Sequence, residues 1–317
     1  GYTTTFANRE GNSSSNLNFL NNQHTGDSSF LITIVTPEIS TFDLRLSDSL
    51  NDSRILDESF GVANFTLTSS QSSALTITGN LNASGAISDI TTLSVSGTSS
   101  LNGDVTSSST QDYTGNVTVA NDITLTTTNS QITFTGTVNS EATEANDLTI
   151  SVGTSEVEFD SAVGGGTDGA LGAIGITGAL DLDADITSAS SLSVSTTSNL
   201  GANVTTSGTQ TYTGAVTLSA DVILTTTNNN VTFGSTIDSD DASTKRDLTL
   251  TLGSGSASVT GIVGATSLDV LTLNSSSSFT AAVTATSIVN AASKTATFSD
   301  AVTANITNSG TLLFDTS

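Results

Sequence analysis

Residues 91–138, TTLSVSGTSSLNGDVTSSSTQDYTGNVTVANDITLTTTNSQITFTGTV, and residues 190–237, SSLSVSTTSNLGANVTTSGTQTYTGAVTLSADVILTTTNNNVTFGSTI, align without a gap at an offset of about 99 residues. Tyr113 meets Tyr212, Gln111 meets Gln210, Phe134 meets Phe233, and Thr126 to Thr128 meet Thr225 to Thr227. The match runs upstream, Ile77 to Ile176 and Gly79 to Gly178. Past one inserted residue near Lys245 it runs downstream, DLTISVG at 147–153 to DLTLTLG at 247–253. Self-similarity at a fixed period marks a repeat architecture and precedes any local reading. Two units follow, 72–171 and 172–270, with a degenerate third at 271–317 and a different region at 1–71.

Within each unit a shorter motif recurs: a bulky apolar residue, a small residue two positions on, and Val or Ile four positions on. Leu101-Gly103-Val105, Tyr113-Gly115-Val117, Phe134-Gly136-Val138, Tyr212-Gly214-Val216 and Phe279-Ala281-Val283 are instances. On one strand, positions i, i+2 and i+4 share a face, so all three are expected to point inward, the small one at a tight corner or narrow core. With Ile77, Val95, Tyr113, Phe134, Phe159 and Ile176 taken as equivalent points, the spacing is about 17 to 25 residues. A coil of that length holds three short strands and cannot bury its inward face alone, whereas stacked coils share one core. The expected fold is therefore all-β, a right-handed parallel β-helix (β-solenoid). About twelve coils beyond residue 72, at roughly 4.8 Å each, give a rod of roughly 55 to 60 Å. A string of sandwich domains would also suit a 99-residue unit, but gives no reason for the short motif inside it.

Composition points the same way. Serine and threonine make up about a third of the 317 residues, and single Val, Ile, Leu and Phe residues alternate with them in strand fashion. No apolar run approaches the roughly 20 residues of a membrane span, so no membrane insertion is expected. Gly1 opens the chain without a charged and apolar leader, and a mature or excised form is expected. A formal charge of -24 with only six Lys and Arg argues against nucleic-acid binding, because phosphate contacts need protein cations. The absence of cysteine removes disulfides, thiol catalysis and thiolate metal sites. Like charge also keeps a long exposed β-structure soluble.

The stretch TQTYTGAVTLSADVILTTTNNNVTF, with FxxAV echoes at Phe159, Phe279 and Phe298, resembles the repeats of large bacterial surface proteins of the filamentous-haemagglutinin and autotransporter-adhesin type. The resemblance covers about residues 72–300 and carries no catalytic signature. It implies secretion, exposure at the cell surface, and adhesion or matrix roles toward extracellular glycans or other cells.

The ends of the chain are expected to supply the contacts. Residues 1–71 hold Arg9, Arg45 and Arg54, which are three of the six basic residues, and the single His24 and Pro37. FLITIVTPEISTFDLRL at 30–46 alternates, so this region reads as a β-rich cap or docking domain. At the other end TLLFDTS closes on an apolar strand, and an uncapped coil is a template for another chain. Head-to-tail self-assembly is expected through Phe30, Ile32 and Ile34 of one copy and Leu312, Leu313 and Phe314 of the next. The leading functional expectation is an extracellular structural protein, the subunit of a surface fibre or filament. The alternative is the stalk of a large adhesin that binds host or matrix glycans.

A polysaccharide-degrading β-helix enzyme stands behind both. Carboxylates alternate at Glu156, Glu158 and Asp160 and at Asp181, Asp183 and Asp185, but the repeats do not share them, since Glu158 aligns with Ser258. No catalytic residue and no organic cofactor is expected. Hard oxygen donors suit Ca2+, which makes Asp181, Asp183, Asp185, Asp238, Asp240 and Asp241 candidate ligands, set against a simply solvated acidic face. GGGTDGALG at 164–172 faintly resembles a glycine-rich calcium coil and occurs once. Threonine ladders such as Thr124, Thr126 and Thr128 reflect strand preference before any ice-binding face. Asn-x-Ser/Thr triplets at Asn64, Asn82, Asn116, Asn203, Asn230 and Asn305 are about as many as this composition yields by chance.

Overall fold

A computed structural model describes residues 2–7, 30–35, 41–43, 73–165 and 169–315. The remainder of the 1–71 region, with its three arginines, His24 and Pro37, lies outside the described residues, as does part of the 164–172 glycine run. Among the described residues there is no helix, and every strand pairing is parallel. The chain is a parallel β-solenoid of about 12 turns.

Each turn has three short strands. Gln111–Tyr113 lies on a first face, Val117–Val119 on a second and Ile123–Thr126 on a third. Ile132–Phe134 then returns to the first face and pairs with Gln111–Tyr113. Three-residue strands bury their first and last side chains and expose the middle one, a pattern repeated at Gln111–Tyr113, Val117–Val119 and Val231–Phe233. Single hydrophobes between Thr and Ser therefore suffice to build a continuous core. That core carries aromatic stacks. Tyr113, Phe134 and Phe159 lie ring on ring at 5.1 and 5.0 Å, and Phe279 lies 5.1 Å from Phe298.

The bulky-small-Val motif turns out to straddle a corner. Tyr113 ends the first-face strand and Val117 begins the second-face strand, with Gly115 between them at the bend. The small residue is not an inward wall residue, because the chain changes direction there. A Cβ on Gly115 would stand 2.3 Å from the Gly97 carbonyl oxygen, and one on Gly136 would stand 2.4 Å from the Gly115 carbonyl carbon. Successive corners pack backbone on backbone, which only glycine allows at those two positions.

Two buried polar clusters, one per sequence unit, brace the corners. Gln111 Nε2 donates to the carbonyls of Val105 (3.2 Å) and Thr126 (2.9 Å) and to Ser107 Oγ (3.2 Å), while its Oε1 accepts from the Tyr113 hydroxyl (3.0 Å). Gln210 does the same with Val204, Thr206, Thr225 and Tyr212. Burial pushes both phenols above their ordinary range, so both remain donors. A buried amide is tolerable because its donor and acceptor groups both find partners.

The sequence unit is not a whole number of turns. The first-face column runs Ile77, Val95, Tyr113, Phe134, Phe159 and then Leu182. Ile176, the sequence counterpart of Ile77, lies instead on the third face between Ile150 and Val194. Tyr212 follows on that third face, stacked 5.3 Å from Phe233. Counting strand positions from Ile77 to Ile176 gives four full turns and two further faces. Equivalent residues of the two units thus point a third of a revolution apart, separated by roughly 22 Å along the axis on ordinary strand spacing.

At the front, Thr41–Asp43 pairs with Ser73–Ile77 and so joins the first-face ladder, while Tyr2–Ala7 and Phe30–Val35 form a separate parallel pair. The stack predicts a steep cost for interior truncation. Phe134→Ala, which opens the middle of a three-ring stack, should destabilise the fold by about 3–5 kcal/mol. Gly115→Ala should also lower the melting temperature, although it adds only a methyl group. Thermal or denaturant unfolding measures both.

Candidate functional site

Turn length decides which acids meet. Phe159 and Leu182 are stacked neighbours, so Glu158 pairs in register with Asp181, and the residues that follow the two core positions, Asp160 and Asp183, occupy the same corner of successive turns. Carboxylate oxygens of Glu158, Asp160 and Asp183 lie within 4.8 Å of one another. Gln131 Nε2 donates to Glu158 (2.9 Å) and to Glu156 (3.3 Å), Thr133 donates to Glu158 (3.4 Å), and Asn199 donates to Asp181 (2.8 Å). The Glu158 carboxyl is pushed above its ordinary range by burial and then by Asp160, Asp181 and Asp183. Asp183 is raised by burial and then by Asp181 and Asp160.

This constellation differs from the sets singled out in the sequence. Asp181 lies beside the group, in register with Glu158, and accepts from Asn199, while Asp183 belongs to it, joined by Glu158 and Asp160 from the preceding turn. Asp185 does not, because its carboxylate accepts the Asn203 N–H at 2.9 Å. Asp238, Asp240 and Asp241 are spread among other partners. Asp238 accepts the Thr266 N–H at 2.9 Å, and Asp240 forms a two-pronged ion pair with Arg246 at 2.8 and 3.0 Å. Asp241 accepts from the Ser243 N–H and hydroxyl at 2.7 to 2.9 Å. Arg246 holds the Asp240 carboxyl below its ordinary range, and the Ser243 hydrogen bonds do the same for Asp241. The signal for the true neighbours was the 23-residue interval from Phe159 to Leu182, hidden because Ile176 looked like the next point in the column.

Asp185 and Asp238 exemplify a wider device. Asp122 accepts from Asp147 N–H and Asp147 from Ala173 N–H, at 2.8 and 2.6 Å. Asp221 accepts from Asp247 and Asp247 from Val270, at 3.0 and 2.9 Å. Asn116, Asn203 and Asn230, each in an Asn-x-Ser/Thr triplet, cap the next turn in the same way through Thr137, Ile223 and Ser256. A corner frees backbone N–H groups from the strand ladder, and a short carboxylate or carboxamide one turn away satisfies them.

At the far end, Thr311–Phe314 pairs with Thr295–Phe298, and Phe314 stacks 5.7 Å from Phe298. Leu312 packs on the core, but Leu313 and Phe314 are 50% and 54% exposed. No strand pairs with the far edge of Thr311–Phe314 among the described residues. Phe30, Ile32 and Ile34 lie on Phe30–Val35, in register with Tyr2, Thr4 and Phe6.

No protein-family model, curated protein or solved structure matches the chain.

Chemically, the Glu158–Asp160–Asp183 cluster offers only hard oxygen donors, a set suited to Ca2+. Without a cation it is a focus of like-charge repulsion. Because the folded-state pKa of Glu158 lies above its unfolded value, the native state binds more protons, and stability falls as pH rises from about the ordinary glutamate range. Glu158→Gln should raise the melting temperature by about 1–2 °C at pH 7. The gain should vanish near pH 3, where the carboxyl is protonated in both states. Melting curves of the two proteins across pH 3–8 test it.

Proposed function

We propose that this protein is an extracellular structural rod, the subunit of a surface fibre that assembles head to tail through its end turns. The observation that carries this reading is the stack itself: short parallel strands join each turn to its axial neighbours, from Ser73–Ile77 to Thr311–Phe314, so the core extends along a single axis in identical steps. Exposed strand edges capture further strands, and a parallel edge takes a parallel newcomer. Translation of one copy along the axis supplies that direction. The parallel pair Tyr2–Ala7 and Phe30–Val35 is the natural donor.

The corner hydrogen bonds support a mechanical role. The Asn and Asp side chains that bridge adjacent turns act along the axis, in addition to the ladders. The stack also supports a second reading, a stalk of the surface-adhesin type. In that case later turns of a longer chain would cover the same edge, and adhesion to glycans or cells would lie elsewhere. A surface location and a divalent-cation role for the acidic cluster belong to the same proposal.

Electron microscopy and sizing of the chain at micromolar concentration separate the two. Head-to-tail assembly predicts oligomers or filaments with a regular axial repeat, converted to monomers by Leu313→Asp with Phe314→Asp. A wild-type chain that is strictly monomeric and soluble would defeat the fibre reading and leave isolated rods, as a stalk segment requires.

A further inference from the structure

One surface of the rod is set apart by its chemistry. From Ser191 to Ser299 the third face runs through six consecutive turns, with the five-residue stretches SLSVS (191–195), TQTYT (209–213), NVTFG (230–234), SASVT (256–260), SSSFT (276–280) and TATFS (295–299). The second and fourth residues of each point into the core, and the other three are exposed or half-exposed. Of the eighteen outward positions, sixteen are Ser or Thr, and the exceptions are Asn230 and Gly234. None is charged, in a chain of net charge -24. The same turns carry Asp221, Asp238, Asp247 and Asp269 on other faces, and Lys294 and Asp300 flank the last stretch.

The middle row is Ser193, Thr211, Thr232, Ser258, Ser278 and Thr297, each in ladder register with the next. None of these six hydroxyls has a hydrogen-bond partner among the described residues, in contrast to the first face, where Gln131, Thr133 and Asn199 engage the acids. Beneath the row, stacked rings at Tyr212–Phe233 and Phe279–Phe298 hold the strands in place. The result is a rigid, uncharged face with one free hydroxyl per turn along its middle row, flanked by side chains of which Ser195, Asn230, Ser256, Thr260, Ser276 and Thr280 are engaged within the rod.

We propose that this face is a binding surface for an uncharged, extended polysaccharide, which lies along the rod axis. A hydroxyl can both donate and accept, as can each hydroxyl of a sugar, so the two surfaces can pair without charge. Each such bond is weak in water, and a repeating ligand on a pre-ordered repeating surface is what makes many weak bonds add. An extended β-linked glycan also advances by close to one turn's height per sugar. A polyanion has no cation to meet on this face, and a cation is drawn to the acidic face instead. A second copy is a poor occupant. Six turns by five residues span roughly 25–30 Å by 15 Å, or about 400 Å² on ordinary strand dimensions. That is half of the approximately 800 Å² per partner typical of a stable interface, and it has little apolar area.

The inference goes beyond the structural reading and fails separately from it. The probes are microcrystalline cellulose and chitin, both insoluble and uncharged, with depletion of the intact chain from the supernatant as readout. The expected result is depletion by at least one of them that is unchanged between 0.05 and 1 M NaCl. Thr211→Asp, Thr232→Asp and Ser258→Asp together should reduce it at least tenfold. The same number of charges on the second face, Thr205→Asp, Thr225→Asp and Thr249→Asp, should leave it unchanged, with melting curves confirming that both variants fold. Absence of depletion by both probes, release by salt, or equal loss in the two variants would overturn the proposal. So would a wild-type dimer in sedimentation that the third-face variant dissociates, because that result assigns the face to a second copy. Rod or filament formation seen by microscopy is scored independently, so glycan binding can fail while the structural reading stands.

Discussion

A turn of about twenty residues with three short strands has too little interior to hold itself closed, and the rest of this structure is a response to that shortage. Each turn borrows its core from its neighbours, so inward positions form columns such as Val194, Tyr212, Phe233 and Val259 and behave as one extended object. Backbone polarity has to be settled by the same neighbours. Strands do so through parallel ladders, whereas corners need side chains one turn away, which is where many of the Asp and Asn residues are spent. Much of the acidity that looks like surface decoration is therefore wiring between turns.

The architecture was legible because its signals are periodic. The 99-residue repeat, the single hydrophobes between hydroxyl residues and the recurrent corner motif all survive variation at individual positions. What could not be read was phase. Turn length varies from 16 residues between Phe298 and Phe314 to 26 between Phe233 and Val259, because corners accept insertions outside the ladder. A one-column error near Phe159 therefore went unseen, and with it the meeting of Glu158 with Asp181. Gly115 occupies the tight corner that its size suits, but does not point inward, since a residue two positions from a core side chain reads as inward only on a straight strand.

The same limit applies to the candidate calcium ligands. Alternating acids in sequence show only that side chains share one side of a strand. Whether they face a neighbouring acid, as Asp183 faces Asp160, or a backbone N–H, as Asp185 does, depends on which residue occupies the turn beside them. Asp240 had a further partner at short range, Arg246, one of the few cations in the chain. The hydroxyl grid was hidden likewise: Thr and Ser abound everywhere, and only the column assignment separates the rows that are free of charge from those that are not.

The mismatch between the sequence unit and the turn has a consequence for how such a chain can grow. A solenoid that could lengthen only by whole turns would tolerate few duplications. Here the quantum of growth is the single strand with its corner, so a duplicated block of fourteen strands joins its predecessor without a seam. Each added block faces a new compass bearing, and three are needed before the first bearing recurs. A patch copied with its block is thus dealt around the rod in rotation, so lengthening by duplication distributes a surface property in all directions while leaving the core unaware of the change.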